Sequence, residues 1–184
     1  FFLATLAVTQ RRKNREGSVT KRVVFVTGSA VGIGRGVSLF FAKQGATVIA
    51  LDIDAEQNSQ THAAVESAGG ICHSYTCDVS DKMAVRAVFD DLASRVDRID
   101  LMVNNAAVYN DTTLTGGDWQ QQTEAFDTAI GVGVMGAFYC TVAAAPLLAH
   151  AGQSNIINVL TDHVKEGFYL TGGMATGYDC AKFA

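Results

Sequence analysis

Proline is nearly absent: Pro146 is the one example in 184 residues. Beside 18 glycines and a 48% hydrophobic share, that is the composition of an ordinary α/β domain, and the length suits one domain with a substantial core. Positive charge is not in excess. Fourteen Lys and Arg against eighteen Asp and Glu leave a formal charge of −4, which argues against a nucleic-acid-binding surface. Cysteine is sparse and scattered. Cys72, Cys77, Cys140 and Cys180 read as reduced, mostly buried thiols of a cytoplasmic protein. Cys72 and Cys77 flank His73, but no second ligand pair appears, so no metal is expected. At the N-terminus the apolar run is short. Residues 1–8 are apolar, too few to span a bilayer, and the basic stretch 11–15 follows them, the reverse of a secretory signal. The sequence does not open on Met. Residues 1–20 are expected to form a disordered tail, with the stub of a truncated anchor as the alternative, and no membrane partner is expected.

What is present is organised around a glycine turn, Thr27-Gly28-Ser29-Ala30-Val31-Gly32-Ile33-Gly34. The apolar run Val23-Val24-Phe25-Val26 before it reads as a buried strand. After it, Ile33, Val37, Phe40 and Phe41 fall on one helical face. Strand, glycine turn and helix in that order aim backbone N–H groups at a phosphate, and the glycines allow a dinucleotide to approach the backbone closely. A second apolar strand, 47–51, ends at Asp52, placed to bind both hydroxyls of an adenine ribose.

Downstream, residues 55–68 form a weak helix stopped by Gly69-Gly70, and 71–77 alternate as a third strand ending at Asp78. Ser80 is the expected N-cap of a helix carrying Val85, Val88, Phe89, Leu92 and Val96. Residues 100–103 are a fourth strand leading into Asn104-Asn105-Ala106-Ala107, and 110–121 read as loop. A long helix over 123–150 is expected to kink near Pro146. A fifth strand over 155–160 and a last helix opening near Tyr178 complete the chain. Alternation of strand and helix predicts a Rossmann-like, doubly wound parallel sheet with helices on both faces, spanning 21–184. Gly28, Asp52, Asp78, Asn104 and Thr161 then all lie at carboxyl ends of strands, where such sheets bind ligands.

Tyr178 and Lys182 stand four residues apart, on one face of a helix. A free tyrosine titrates near ~10, and an adjacent ammonium lowers that value by favouring the phenolate. A shift of ~2–3 units needs roughly 3–4 kcal/mol, which Lys182 and a positive nicotinamide ring together can supply.

With these motifs in order, the chain over roughly 21–184 resembles the short-chain dehydrogenase/reductase family. The matching segments are Thr27-Gly28-x-x-x-Gly32-Ile33-Gly34, Asp78-Val79, Asn104-Asn105-Ala106, Ile156-Ile157-Asn158-Val159 and Tyr178-x-x-x-Lys182. The resemblance implies hydride transfer between a nicotinamide and a small-molecule alcohol or carbonyl. It implies Tyr178 as the proton carrier, Lys182 on the nicotinamide ribose, Asp78 at the adenine and Asn104 along the cofactor. The cofactor-binding set is then Thr27, Gly28, Ser29, Gly32, Ile33, Gly34, Asp52, Asp78, Val79, Asn104, Ala106, Tyr178 and Lys182. The family pattern also implies a homo-oligomeric parent enzyme.

Three departures stand out. The family serine after the fifth strand is Thr161 here, a hydroxyl with equal hydrogen-bonding capacity; His163 close by is a second proton-handling candidate or a solvated loop residue. Gly133 replaces a relay asparagine, either because helices pack closely there or because function is impaired. The family pattern continues beyond Lys182 with more helix, two strands and a substrate loop, so the sequence reads as incomplete at its C-terminus and little activity is expected of these 184 residues alone. Asp52, followed by no compensating cation at Ile53 or Asp54, favours NAD(H) over NADP(H). The substrate pocket is expected from 107–113 and 161–176, with Phe168, Tyr169, Leu170 and Met174 either as an apolar wall or as ordinary loop packing. Two alternatives remain beside the oxidoreductase: a non-catalytic nucleotide-binding relative, and an epimerase or lyase that recycles its cofactor.

Overall fold

A computed structural model describes residues 21–109, 118–161 and 176–184. Its elements are β1 Val23–Thr27, α1 Gly32–Ala42, β2 Thr47–Asp52, α2 Ala55–Ser67, β3 Ile71–Thr76, α3 Lys82–Leu92, β4 Leu101–Asn104, α4 Trp119–Ile130, a π-helical segment Gly131–Gly136, α5 Ala137–His150, β5 Asn155–Asn158 and α6 Thr176–Phe183. The five strands form one parallel sheet in the order β3-β2-β1-β4-β5. The strand order reverses direction between β1 and β4, and that switch point opens the crevice used by doubly wound sheets.

Strand residues alternate between two cores. Phe25, Ile49, Leu51 and Met102 pack with Val85, Phe89 and Leu92 of α3 and with Cys140, Ala144, Leu147 and Leu148 of α5. Val24, Val26, Val48, Ala50 and Val103 pack with Phe41 of α1 and Val65 of α2. Helices therefore cover both faces, and β1, buried at every position, reads as a continuous apolar run for that reason.

Caps fix where the helices begin. The Asp54 carboxylate accepts from the Gln57 N–H at 3.0 Å and the Asp118 carboxylate from the Gln121 N–H at 3.3 Å. Asp81, not Ser80, caps α3, accepting from the N–H groups of Met83 (2.8 Å) and Ala84 (3.1 Å). Ser80 is drawn away because its N–H and hydroxyl both donate to the Asp78 carboxylate, at 2.9 and 2.7 Å. The cap at Asp118 also starts the long helix at Trp119, within the stretch read as loop.

Helical winding is continuous over Trp119–His150, a run of 32 residues that by length and composition could cross a membrane. Here its second half lies on the sheet, with Cys140, Ala144, Leu147 and Leu148 in the core, and it continues past Pro146 to His150. The π segment, not foreseen in the sequence, coincides with Gly131, Gly133 and Gly136. Glycine holds α geometry weakly, so a widened turn costs little there. Bare Cα atoms also permit close packing. A Cβ on Gly133 would sit 2.8 Å from the Ala181 Cβ of α6, and one on Gly136 would sit 2.6 Å from Val79 Cγ2.

Candidate active site

The glycine turn joins β1 to α1 at the switch point. Gly28 and Gly32 have φ of +65° and +55°, a region that favours glycine. A Cβ on Gly28 would lie 2.9 Å from the Ala106 Cα, and one on Gly34 would overlap the Gly28 carbonyl oxygen. The helix start is thus pressed against the strand end. No side chain caps the first turn of α1, so the N–H groups at the start of this helix are available to an anion.

Thr27 ties the turn to the loop after β4. Its hydroxyl oxygen accepts from the N–H groups of Asn105 and Ala106, each at 3.0 Å. Asn105 returns the contact, its Nδ2 donating to the carbonyls of Thr27 (3.1 Å) and Gly28 (3.0 Å). Nothing local in the sequence marks this bracing role of Asn105, whose partners lie far upstream. Asn104 is buried and turned inward, its Nδ2 donating to Thr141 Oγ1 at 3.2 Å and to Asn158 Oδ1 at 2.9 Å. Its own Oδ1 has no partner among the described residues. The side chain cross-links β4, β5 and α5, which leaves the 104–106 backbone as the surface along the crevice.

At the end of β2, Asp52 is held by backbone donors. Ala30 N–H reaches Oδ2 at 2.8 Å, and Asp54 N–H reaches Oδ1 at 3.0 Å. Each carboxylate oxygen retains a free lone pair for a hydroxyl. Asp78 follows β3 and is half-buried; Val79 behind it is in the core, and Ile33 projects into solvent. Uncapped N–H groups, glycines with no room for a Cβ and an acid at the β2 end are the features a dinucleotide needs, so the residues present fit that group.

The second half of the site is on α6. Tyr178 and Lys182 share a face, with Lys182 Nζ 5.7 Å from the Tyr178 ring centroid. Lys182 is buried and donates to the Val159 carbonyl at 2.6 Å, just beyond β5. Burial holds its ammonium below the ordinary lysine value of 10.5. Tyr109, in the expected pocket stretch, stacks edge-on against Tyr178 with centroids 5.4 Å apart. Thr161 is half-buried three residues past β5. His163, Phe168, Tyr169, Leu170 and Met174 lie outside the described residues, as do 110–113. Cys72, Cys77 and Cys140 are buried and free, and no cluster of His, Cys, Asp and Glu able to hold a metal occurs among the described residues.

A family model described as short chain dehydrogenase matches residues 22–184. The chain belongs to the short-chain dehydrogenase family. It is 33% identical over 156 residues to a 3beta-hydroxysteroid dehydrogenase of Mediterraneibacter gnavus, covering 83% of this chain and 54% of that protein. It is 33% identical over 138 residues to a 3-oxoacyl-acyl-carrier-protein reductase of Thermotoga maritima, covering 75% and 54%. Among solved structures, a 3-ketoacyl-ACP reductase from Sinorhizobium meliloti 1021 superposes with a TM-score of 0.77 at 27% identity, covering 88% of this chain and 61% of that one. The chain therefore spans about half the length of the curated relatives it matches.

Proposed function

We propose that this short-chain dehydrogenase is the cofactor-binding and proton-transfer portion of an NAD(H)-dependent oxidoreductase that interconverts a small-molecule alcohol and carbonyl. The observation that carries the reading is the Tyr178–Lys182 pair on α6, with the ammonium 5.7 Å from the phenol ring, in a chain whose glycine turn and Asp52 form a dinucleotide cradle. A binding domain without chemistry has no evident need for both residues.

The α1 N-terminus and the backbone of Gly28, Gly32, Ile33 and Gly34 would hold the pyrophosphate, and Asp52 the adenine ribose; Ser29, whose N–H goes to the Leu51 carbonyl and whose hydroxyl goes to Asn58, shapes the turn instead. Asp78, Val79 and the 104–106 backbone, including Ala106, would line the remaining path, and Thr27 sets the turn's position through its bonds to Asn105 and Ala106. When bound, the nicotinamide supplies or accepts the hydride. Tyr178 carries the proton: its hydroxyl donates to the carbonyl oxygen during reduction and takes the proton back from the alcohol during oxidation. Lys182 places its ammonium beside the Tyr178 ring, and its anchorage on the Val159 carbonyl fixes where that charge sits. The Thr161 hydroxyl orients the substrate oxygen. Asp52 disfavours a 2′-phosphate, since two negative charges in one crevice repel. A glycine at 133 has a packing reason in the approach of Ala181, so its presence does not by itself argue against turnover.

NADH oxidation followed at 340 nm with a panel of aldehydes, ketones and β-ketoesters tests the reading on the full-length protein. Wild type should turn over at least one carbonyl, and Tyr178→Phe should lose at least about a hundredfold, the scale of a general acid. Turnover undiminished in Tyr178→Phe would overturn the assignment. Cofactor binding with no net NADH consumption by any carbonyl would favour the alternatives, a non-catalytic nucleotide-binding relative or an epimerase or lyase.

A further inference from the structure

Beneath the glycine turn lies a buried polar network that the cofactor cradle itself does not need for contact. The buried face of α2 carries Asn58, Thr61 and Val65, and the first two are polar. Asn58 is 2% exposed and Thr61 is fully buried. Asn58 Nδ2 donates to two carbonyls, Ala50 of β2 at 3.2 Å and Tyr75 of β3 at 3.0 Å. Those two acceptors fix which way the amide faces, leaving Oδ1 to accept from the Ser29 hydroxyl at 2.8 Å. Three residues on, the Thr61 hydroxyl donates to the Ala30 carbonyl at 3.1 Å. The chain of contacts then runs outward: Ser29 N–H donates to the Leu51 carbonyl at 3.3 Å, and Ala30 N–H donates to Asp52 Oδ2 at 2.8 Å.

Packing alone would be served as well by leucine and valine at these two positions. Every donor on them instead goes to a turn or strand carbonyl that the helix cannot otherwise reach. The Ser29 side chain is fully buried and faces α2, so its hydroxyl serves the network and not the crevice. The Ser29-Ala30 step is clamped from below at a side chain and at a carbonyl, and the Ala30 N–H is one of the two backbone groups, with the Asp54 N–H, that hold the Asp52 carboxylate.

We propose that Asn58 and Thr61 are positioning residues that fix the Ser29-Ala30 step of the glycine turn and, through the Ala30 N–H, hold the Asp52 carboxylate at the ribose-hydroxyl site, so that α2 sets both affinity for NADH and its discrimination from NADPH. The inference rests on the cofactor assignment made above. With the clamp intact, Asp52 cannot turn away to admit a 2′-phosphate. With the clamp loosened, the carboxylate gains freedom, the ribose hydroxyls lose a fixed acceptor and the phosphorylated cofactor loses a fixed repeller.

Thr61→Val removes one hydroxyl at nearly constant volume, and Thr61→Ser restores it. Fluorescence titrations of the full-length protein with NADH, NADPH, 5′-AMP and nicotinamide mononucleotide give the readouts. In Thr61→Val the Kd for NADH and for 5′-AMP should rise about fivefold, the scale of one buried hydrogen bond. Nicotinamide mononucleotide should bind as in wild type, the NADPH-to-NADH ratio of Kd should narrow about threefold, and Thr61→Ser should restore all values. A merely structural loss would weaken both halves of the dinucleotide together and leave the ratio unchanged. Ser29→Ala, which cuts the same clamp from the other side, decides the matter if Thr61→Val does not fold, and should shift the ratio in the same direction. A folded Thr61→Val with wild-type Kd and ratio overturns the positioning role alone. Wild-type protein that binds neither NADH nor 5′-AMP overturns the cofactor reading, and this inference with it.

Discussion

Two glycines two residues apart on α1 should respond oppositely to the same substitution. Gly34 faces the strand end: an added Cβ would overlap the Gly28 carbonyl oxygen and come within 2.7 Å of Asn105 Nδ2. The Gly28 contact is backbone, and Asn105 is tied down by its two bonds to Thr27 and Gly28, so neither can yield without moving the turn. Gly34→Ala should therefore destabilise by about 1–3 kcal/mol, the usual cost of overpacking. Gly36 is exposed, lies inside the helix, and has nothing within 4 Å of a built Cβ. Gly36→Ala should stabilise by about 0.5–1 kcal/mol, because alanine loses less backbone freedom on entering a helix. For a protein of this size the shifts correspond to roughly 2–4 °C in Tm per kcal/mol. Urea unfolding with NADH titration reads both effects: Gly34→Ala should lose stability and at least about tenfold in NADH affinity, while Gly36→Ala gains stability and keeps its affinity. Equal stability and equal affinity for Gly34→Ala would refute the claim that helix and strand need this close approach to form the cradle.

Asn105→Ala takes the amide donor from the carbonyls of buried Thr27 and half-buried Gly28 and should cost about 1–3 kcal/mol in urea unfolding; a change under about 0.5 kcal/mol would show that water replaces the amide. Because burial lowers the Lys182 ammonium from 10.5, the folded chain favours the neutral amine more than the unfolded chain does. The charged form thus costs stability at neutral pH, and the cost is relieved as pH rises through the lowered value toward 10.5. The stability of Lys182→Met relative to wild type should be more favourable at pH 7 than at pH 10, and the reverse trend would contradict the burial argument. Burial also pushes the thiols of Cys72 and Cys140 up to about 12 and that of Cys77 to about 11. At pH 8 a thiol reagent should leave these three unmodified in folded protein and modify them in urea, as peptide mapping would show.

The parallel sheet was legible because its buried strands are short apolar runs punctuated by glycine and acid, a signal that survives without knowledge of neighbours. The geometry of the glycine turn was legible for a similar reason: Gly28, Gly34 and Asp52 lie within thirty residues of chain, in a fixed strand-turn-helix order. What the sequence hid is what depends on distant partners. Asn58 and Thr61 looked like part of a weak polar helix, yet they are buried because their partners, Ser29 and Ala30, lie about thirty residues upstream. Asn105 reads no differently from Asn104 until the β1–β4 contact brings it under Gly28. The π segment carries no distinct periodicity over six residues, and the approach of Ala181 and Val79 to its bare Cα atoms is tertiary. The cap at Asp81 was missed because a local competitor, Asp78, captures Ser80.

The proposed function turns on the β1–α1 turn and Asp52 binding an unphosphorylated nicotinamide dinucleotide. Parallel fluorescence titrations with NADH and NADPH at matched ionic strength test it most directly. Binding should be saturable for both or for NADH alone, with the Kd for NADH lower by at least about fivefold, the scale of roughly 1 kcal/mol of charge repulsion at Asp52. NADPH binding as tightly as NADH would contradict the role given to Asp52, and folded protein that binds neither would contradict the account as a whole.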